Sequence, residues 1–566
     1  RLAVADGRLG DSKAAEKALS KLSLSDDPRV ALVRKDVTAE GVSAGRIARH
    51  DAGDWLSKYG TSDRAATMPA VPENAFPNEL SELWSYNFDL HVTPEPFNPN
   101  QAMGAAYTAT GFYSSSLYAG NTRSTSKNSK NRIERRSLVD KWTQCGRTPV
   151  GGLLLFEGMV YFKSENRVVC CDADSGEMVW MGIENAFEVD PATRQQLLLS
   201  ASMPVQTSGL RKPEELQLFA DQIFQAMSIG EGNLYSVEGP SVLDPAPVQV
   251  QKTPNVYAYA MTVPTRSRQN WLAAYDARNG KLRWRRGARE VEVDGSKFDV
   301  GFSCAPVSGA GLTYVTVNET GSIWLLALNP TDGSTVYRTY LCDEPAGSCN
   351  PWATTGVAYA EGDVYVATGA GIVAAVDGVS GALRWVVRYE RSGDVRKQPS
   401  PFGMQMSISK PTGWQDDVVV AAGRSVIVMG SDSDEIFALD RRTGEVLWDS
   451  PRNSNRDAEY YLGMSGSRLY VGADDLVRCY DSIGGRVIWE AEIEDSAGTG
   501  IATNEAIYVP TQSSIVKLSL AKGTELARSH FKTMTREPVG NLYSDGNRLF
   551  GVGAARTYAF ADLQER

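Results

Sequence analysis

Three histidines, seven cysteines and many carboxylates are the side chains of this 566-residue chain that can do acid–base or metal chemistry. The histidines, His50, His91 and His530, have no spacing typical of metal ligands. The sequence has no Cys-x-x-Cys pair and no phosphate-binding glycine loop. Most carboxylates in its recurring motifs stand at predicted turns, where capping of backbone N–H groups accounts for them. We therefore predict no catalytic residue and no metal site.

One cysteine pair is spaced to close a local loop. Cys342 and Cys349 flank the stretch "DEPAGS", in which Pro and Gly favour a turn. The other five cysteines are scattered, and an odd total does not describe a disulfide framework. Loop geometry permits a Cys342–Cys349 disulfide, but its formation depends on the redox compartment, so both states stay open.

Composition indicates a globular chain. Hydrophobic residues make up 42% and charged residues 22%, and the formal net charge is −10. The negative charge argues against nucleic acid as the main partner. No run of about 18 apolar residues occurs, so we expect no transmembrane segment. The first residue is Arg1, which indicates a mature or trimmed product whose targeting signal is missing.

A repeat dominates the sequence, and "ALDRRTGEVLW" (438–448) is its clearest copy. An Asp or Asn precedes a glycine by four residues, and an aromatic residue follows the glycine by four. A seventh copy is degenerate, with Gly523 and Ala527. The six clear copies pair Gly176 with Trp180, Gly280 with Trp284, Gly333 with Tyr337, Gly381 with Trp385, Gly444 with Trp448, and Gly485 with Trp489.

Each copy predicts short alternating strands joined by a glycine-containing hairpin. A small residue recurs two positions before the Asp or Asn, for example Ala438. We predict that the aromatic ring of one unit docks over the small residue and the glycine of its neighbour. A buried ring of this size covers about 150–250 Å² and would dominate the seam between units. The repeated residues are therefore predicted to be structural.

The two ends of the chain predict a closed ring. The stretch 541–562 has the inner strands of a further unit but ends before any Gly-x-x-x-Trp motif. Near the other end, residues 80–90 resemble an unpaired outer strand that carries Trp84. Joining the two gives an eighth unit and removes exposed sheet edges.

The Ala-x-Asp-x-x-x-Gly-x-x-x-Trp pattern resembles the tryptophan-docking motif of the pyrroloquinoline-quinone-type (PQQ-like) β-propellers. The resemblance covers residues 160–527, most of the chain. It implies an all-β fold, an eight-bladed β-propeller of four-stranded antiparallel blades. We place this propeller at 78–566.

Quinoprotein alcohol dehydrogenases share this motif. The resemblance to them implies PQQ at the propeller axis over a Trp floor, a calcium ion held by Glu and Asn, an Asp base, and often a disulfide between adjacent cysteines. Cys170 and Cys171 invite that comparison, but they lie in a predicted strand, where their side chains point to opposite faces. The long Asn- and Trp-bearing segments of those enzymes are not found in this sequence. Oxidation dependent on PQQ and calcium is therefore the alternative, and we predict no cofactor.

The non-enzymatic BamB-like members of the family fit the sequence better. This resemblance implies a rigid ring whose loops bind other proteins in the bacterial envelope. We accordingly predict a non-catalytic scaffold or subunit of a multi-protein envelope complex, in a periplasmic or outer-membrane-associated setting.

Three segments do not follow the repeat. Residues 1–70 predict short amphipathic helices. Residues 183–230 contain "KPEELQLFADQIFQAM" (212–227), which predicts a helix whose apolar face packs on the propeller rim or binds a partner. Residues 101–137 form a basic insertion, either a solvated loop or a site for an anionic partner. Its candidate partner-binding residues are Arg123, Lys127, Lys130, Arg132, Arg135 and Arg136.

Overall fold

The computed structural model describes residues 150–560 with internal gaps, preceded by a few short stretches. The preceding stretches are residues 62–64, 68, 71, 79–80 and 82–87. The gaps are 165–166, 183–220, 240, 244–247, 254–255, 261–264, 267–269, 288–289, 292–296, 299, 345–350, 392–413, 434, 452–459, 474, 532–537 and 554–555.

All regular elements among these residues are β-strands. Strands in the first half of the chain are β1 (Glu79–Leu80), β2 (Glu82–Asn87), β3 (Leu153–Phe156), β4 (Met159–Ser164), β5 (Arg167–Asp172), β6 (Met178–Met181), β7 (Met227–Gly230), β8 (Asn233–Glu238), β9 (Val242–Leu243), β10 (Val248–Thr253), β11 (Val256–Ala260), β12 (Thr265–Arg266), β13 (Trp271–Asp276), β14 (Leu282–Gly287), β15 (Glu290–Val291), β16 (Lys297–Phe298), β17 (Gly301–Phe302), β18 (Val307–Gly309), β19 (Leu312–Glu319), β20 (Ser322–Leu328) and β21 (Thr335–Asp343).

The second half continues with regular groups of four. These strands are β22 (Gly356–Ala360), β23 (Asp363–Ala367), β24 (Ile372–Asp377), β25 (Leu383–Arg388), β26 (Val418–Ala422), β27 (Ser425–Met429), β28 (Glu435–Asp440), β29 (Val446–Pro451), β30 (Tyr460–Ser465), β31 (Arg468–Gly472), β32 (Leu476–Asp481), β33 (Val487–Glu492), β34 (Ile501–Ala502), β35 (Ala506–Pro510), β36 (Ser514–Ser519), β37 (Glu525–Phe531), β38 (Asn541–Ser544), β39 (Leu549–Val552) and β40 (Arg556–Phe560).

The strands build the predicted eight-bladed β-propeller of antiparallel sheets. The first strands of neighbouring blades approach one another, so they form the inner wall of the ring. The last strand of each blade in the order given below lies outside; blade 3 has five strands because β17 and β18 both pair with β19. Blades 1 to 8 are β3–β6; β7, β8, β13 and β14; β17–β21; β22–β25; β26–β29; β30–β33; β34–β37; and β38–β40 with β2.

The N-terminal strand β2 closes the ring as predicted. It pairs antiparallel with β40, and Trp84 lies opposite Ala559. Just before it, β1 pairs in parallel with the outer strand of blade 7, Glu79 opposite His530. One stretch of chain therefore extends the outer edges of two neighbouring blades.

The structure describes part of the extra chain between Gly176 and Gly280, and that part does not form the predicted helix. Residues 221–226 form turns, and Met227 begins the inner strand of blade 2. The side chain of Asp221 accepts a hydrogen bond from the Phe224 amide at 2.8 Å, which favours a turn. Ile223 packs with residues of blades 2 and 3, and Met227 with residues of blades 1 and 2. The helix prediction is wrong for 221–227, while 183–220 lie outside the described residues.

A β insertion in blade 2 was not predicted. Between β8 and β13, strands β10 and β11 form an antiparallel hairpin, and β9 pairs with β12. The alternating sequence "VQVQKT" followed by "VYAYA" is the signal that identifies this hairpin. The predicted N-terminal helices fall outside the described residues, as does the basic insertion at 101–137.

Candidate functional site

The repeat glycines lie directly under the aromatic rings of the preceding blade. A Cβ atom added to Gly280 would be 2.5 Å from the ring of Trp180, closer than any real contact. Seven seams share this arrangement. The pairs are Trp84 on Gly176, Trp180 on Gly280, Trp284 on Gly333, Tyr337 on Gly381, Trp385 on Gly444, Trp448 on Gly485, and Trp489 on Gly523.

The polar atom of each docked ring donates a hydrogen bond to the next blade. The acceptor is the backbone carbonyl that follows the hairpin Asp or its equivalent. At the seam between blades 1 and 2, Trp180 Nε1 donates to the Ala277 carbonyl at 3.1 Å, and the Tyr161 hydroxyl donates to the same oxygen at 3.0 Å. Equivalent tryptophan bonds run from Trp84 to Ala173, Trp284 to Pro330, Trp385 to Arg441, Trp448 to Ser482, and Trp489 to Leu520.

The small residue of the motif lies in the same blade as its tryptophan, which corrects the predicted arrangement. Ala438 is the cross-strand partner of Trp448, and Cys170 is the partner of Trp180. Cross-strand partners project to the same face of a sheet, so a large residue here would compete with the indole for space. The docking surface supplied by the neighbouring blade is the glycine turn.

The hairpin carboxylates are held by hydrogen bonds. Oδ1 of Asp440 accepts from the amides of Arg442 and Thr443 at 2.9 and 3.1 Å. Oδ2 of Asp440 accepts from Arg424 Nε at 2.6 Å. The bond from Arg424 is the main reason that the pKa of Asp440 falls to about 2. Such a carboxylate stays ionised and is a poor proton carrier at neutral pH.

The seam between blades 7 and 8 is built differently. Ala527 stands in the aromatic position, and blade 8 takes its outer strand from the N-terminus instead of from a Gly hairpin. Here β1 and β2 span the outer edges of both blades. Backbone pairing by the N-terminal strand thus replaces the missing aromatic contact.

Cys170 and Cys171 are reduced and lie on opposite faces of β5. Cys170 packs between blades 1 and 2, whereas Cys171 packs between blades 8 and 1. Burial raises the pKa of both thiols to about 12. Neither thiol is therefore activated as a nucleophile.

A short N-terminal stretch, which we call the axial segment (residues 62–71, described at 62–64, 68 and 71), lies along the inner wall of the ring. Its backbone carbonyls at Ser62 and Asp63 accept hydrogen bonds from the amides of Tyr359 and Ala421, at 2.7 and 2.9 Å. Further along, the Met68 amide donates to the Ala502 carbonyl at 3.1 Å. The segment thus contacts the inner strands of blades 4, 5 and 7.

A small cavity that is partly open to solvent lies beside the axial segment, at the end where the inner strands begin. Its described lining comes from blades 1 to 5 together with Arg64, which is 7% exposed. Most of these residues are apolar or small. The polar side chains among them are Arg64, Gln222, Gln225, Cys304, Thr354, Thr355 and Asp417.

The sequence matches the family described as outer membrane protein assembly factor BamB over residues 114–299 and 268–529. The two matches together cover more than half of the chain. The chain belongs to this family. The predicted PQQ-like propeller family is thereby confirmed.

Two solved structures are similar to this chain. BamB from Moraxella catarrhalis is 14% identical over 72% of this chain and 96% of its own, with a TM-score of 0.45. The quinohemoprotein alcohol dehydrogenase from Comamonas testosteroni is 12% identical over 96% of this chain and 83% of its own, with a TM-score of 0.50. Among curated proteins, none matches this sequence.

Within this BamB-family propeller, two buried carboxyl groups meet between blades 4 and 5. Asp432 accepts hydrogen bonds from the Tyr389 hydroxyl at 2.6 Å and the Gly371 amide at 2.8 Å, and Arg391 Nε lies 3.3 Å from its Oδ2. Asp417 accepts from the Ser431 amide at 2.7 Å. Burial, followed by the charge of Asp432, raises the pKa of Asp417 to about 8.

A second buried charge ties blades 1 and 2 together near the cavity. The Lys163 ammonium donates to the Val237 carbonyl at 2.6 Å and to the Phe224 carbonyl. Burial lowers the pKa of Lys163 to about 8 and raises the pKa of Asp221 to about 7. Because the Phe224 carbonyl belongs to the turn at 221–226, its hydrogen bond with Lys163 stabilises that turn.

Replacing Asp417 with asparagine is expected to stabilise the protein at pH 8 and to have less effect at pH 5. The pKa of an unfolded aspartate is about 3.9, so between about pH 4 and 8 the folded carboxyl keeps a proton that the unfolded chain releases. Native stability therefore falls as the pH rises through this window. The gain for Asp417→Asn at pH 8 should be at least about 1 kcal/mol, as each pKa unit corresponds to about 1.4 kcal/mol.

Urea unfolding at pH 5 and 8 measures this effect. The control is Asp440→Asn, whose carboxyl titrates near pH 2 and so changes stability equally at both pH values. Equal effects of Asp417→Asn at pH 5 and 8 would contradict a raised pKa at this residue.

Two sets of predicted site residues lie outside the described part of the chain. The six basic residues between Arg123 and Arg136 belong to it, so partner binding there stays a prediction. Cys349 does too, and the Cys342–Cys349 disulfide also stays a prediction. In the described residues we find no helix long and apolar enough to cross a membrane.

Proposed function

We propose that this propeller is a non-catalytic scaffold that holds other proteins in a bacterial envelope complex, in an extracytoplasmic setting. Membership of the BamB family supports the proposal. The observation that carries it is the axial segment, since the chain's own residues occupy the inner wall where a ligand of the ring would bind. A rigid ring suits recognition of partners by the segments that connect its strands.

The repeated motif residues also favour a structural role. Their indole N–H groups, hydroxyls and carboxylates are engaged in bonds between blades or within hairpins. A reacting group needs a polar atom that can reach a substrate. We therefore assign the recurring polar groups of the repeat a structural role.

The alternative is a dehydrogenase that uses PQQ and calcium. Calcium requires six to eight oxygen ligands, mostly from carboxylates and carbonyls. The described lining of the cavity beside the axial segment offers one carboxylate, Asp417, whose Oδ1 accepts a hydrogen bond from the Ser431 amide. This described lining includes no tryptophan that could serve as a platform for the quinone. This donor set does not fit the pair of cofactors.

Adding PQQ and Ca²⁺ together is accordingly expected to leave the melting temperature unchanged. A ligand present at about 100 times its Kd would stabilise the native state by about 2.7 kcal/mol, an easily detected shift. Differential scanning fluorimetry and a dye-linked alcohol oxidation assay are the measurements. A rise in melting temperature with dye reduction would refute the scaffold proposal, and Ca²⁺ alone is the control.

The partner itself is sought by affinity purification from native membranes with quantitative mass spectrometry. We expect a reproducible set of envelope proteins. A matched variant with Arg123, Lys127, Lys130, Arg132, Arg135 and Arg136 changed to glutamine separates the basic insertion from other surfaces. Loss of an enriched protein from this variant would assign that partner to the insertion.

A further inference from the structure

We infer that the seam between blades 7 and 8 is the place where the ring opens, and that residues 79–87, which we call the strap, are the latch that keeps it closed. This conformational device goes beyond the proposed scaffold function. It would serve a scaffold and an enzyme equally, so failure of its test leaves the proposed function untouched.

The seam between blades 7 and 8 is held differently from the other seven. At each of those seams, an aromatic ring of one blade covers a glycine of the next. Among the described residues, the seam between blades 7 and 8 has no such pair, because Ala527 stands at the aromatic position. Ala527 packs against the apolar cluster shared with blade 8, but a methyl group buries far less area than an indole. The outer end of this seam therefore lacks the largest apolar contact of the other seams.

The inner end of the same seam is closely packed. The Leu542 amide of blade 8 donates to the Thr499 carbonyl of blade 7 at 3.0 Å, and the Thr499 amide donates to Asn541 Oδ1 at 2.8 Å. A Cβ atom added to Gly498 would lie 2.1 Å from the Gly540 carbonyl oxygen. These contacts make the inner end a hinge about which the outer ends of the two blades can separate.

The strap crosses the outer end of the seam and is held unequally on its two sides. On blade 8, β2 is six residues long, and its Trp84 also donates from Nε1 to the Ala173 carbonyl of blade 1 at 3.0 Å. On blade 7, β1 is two residues long and pairs in parallel with β37, Glu79 opposite His530. So short a pairing adds few hydrogen bonds, each of modest net strength. Release should therefore occur between β1 and β37, while β2 stays on blade 8.

Ser529 can report this opening. Local opening is expected where few contacts must break, and here it would expose the face of β37 that packs on blade 8. Ser529 lies on that face, since it is opposite Ile515, whose apolar cluster includes Phe550 of blade 8. In the closed ring the Ser529 side chain is fully buried. Its exposure to a reagent in solution therefore requires the ring to open.

The test measures how fast a cysteine at position 529 reacts with iodoacetamide in the folded full chain. Ser529→Cys is nearly isosteric, and mass spectrometry of peptides separates this thiol from the native cysteines. The matched control is Ser450→Cys, at the equivalent position of blade 5. Ser450 is opposite Ile436, which packs with residues of blade 6. That seam has a docked ring, Trp448 on Gly485.

Weakening the latch should speed the reaction at position 529 alone. Glu79→Pro combined with Leu80→Pro removes both amide donors of β1. It should speed the labelling of Ser529→Cys about tenfold, the effect of losing roughly one or two net hydrogen bonds. Glu79→Ala combined with Leu80→Ala keeps both donors and should change this rate less than about twofold. The labelling rate of Ser450→Cys should stay the same with either strap variant.

A second measurement keeps the strap unchanged and adds urea below the unfolding transition. Labelling of Ser529→Cys should rise less steeply with urea than global unfolding does, because a local opening exposes less surface. The same steepness would show that this thiol reacts only through global unfolding, and it would overturn the inference. Equal acceleration at positions 529 and 450 by the double-proline variant would overturn it too, as would no acceleration at position 529.

Discussion

Trp448→Ala is expected to lower the free energy of unfolding by about 3–5 kcal/mol, as large-to-small changes of buried aromatic residues do. The indole is 8% exposed and covers Gly485 of the next blade. Its Nε1 donates to the Ser482 carbonyl at 3.0 Å, so the variant loses a hydrogen bond across the seam as well as packing. Chemical denaturation followed by circular dichroism measures the change.

Val446→Ala is the matched control, two residues earlier in the same strand. Its side chain is 60% exposed, so its loss should cost less than about 0.5 kcal/mol. Partner recovery from membranes should be the same for both variants under native conditions, because the docked ring is buried and contributes little to the surface. A Trp448→Ala protein as stable as Val446→Ala would show that the indole does not hold the seam.

The spacing of glycine and tryptophan predicts the blades because each glycine permits an approach that no other residue allows. The hairpin φ at Gly176 is 70°, and Trp84 fills the space where its Cβ would lie. The position of the small residue was predicted in the wrong blade. Spacing along one strand does not reveal whether two residues share a sheet or face each other across a seam, and only the register settles this.

The axial segment has no signal of this kind. Its sequence, "SDRAATMPAV" (62–71), has neither strand alternation nor helical periodicity. Its contacts are backbone hydrogen bonds with residues about 300–430 positions away, together with single side chains such as Arg64. Similarly, the turn at 221–226 depends on Lys163 in another blade, whose bond to Phe224 no local pattern announces. Local periodicity identifies repeated contacts, whereas single long-range contacts need the structure.

Gly485→Ala is expected to destabilise the protein by about 2–4 kcal/mol, for two separable reasons. The backbone φ of 70° is unfavourable for alanine by about 1 kcal/mol. In addition, the new Cβ would lie 2.5 Å from the Trp448 ring, which must move away from its carbonyl acceptor. Overpacking of this kind costs a further 1–3 kcal/mol or so.

Gly466→Ala isolates the first reason within the same blade. Gly466 has a φ of 60°, but no atom lies within 4 Å of its added Cβ. Its substitution should therefore cost about 1 kcal/mol through the backbone alone. The difference between the two variants in urea unfolding measures the close approach of ring and glycine. If the two substitutions cost the same, the indole is not seated on Gly485, and the seams of the ring must be held by other contacts.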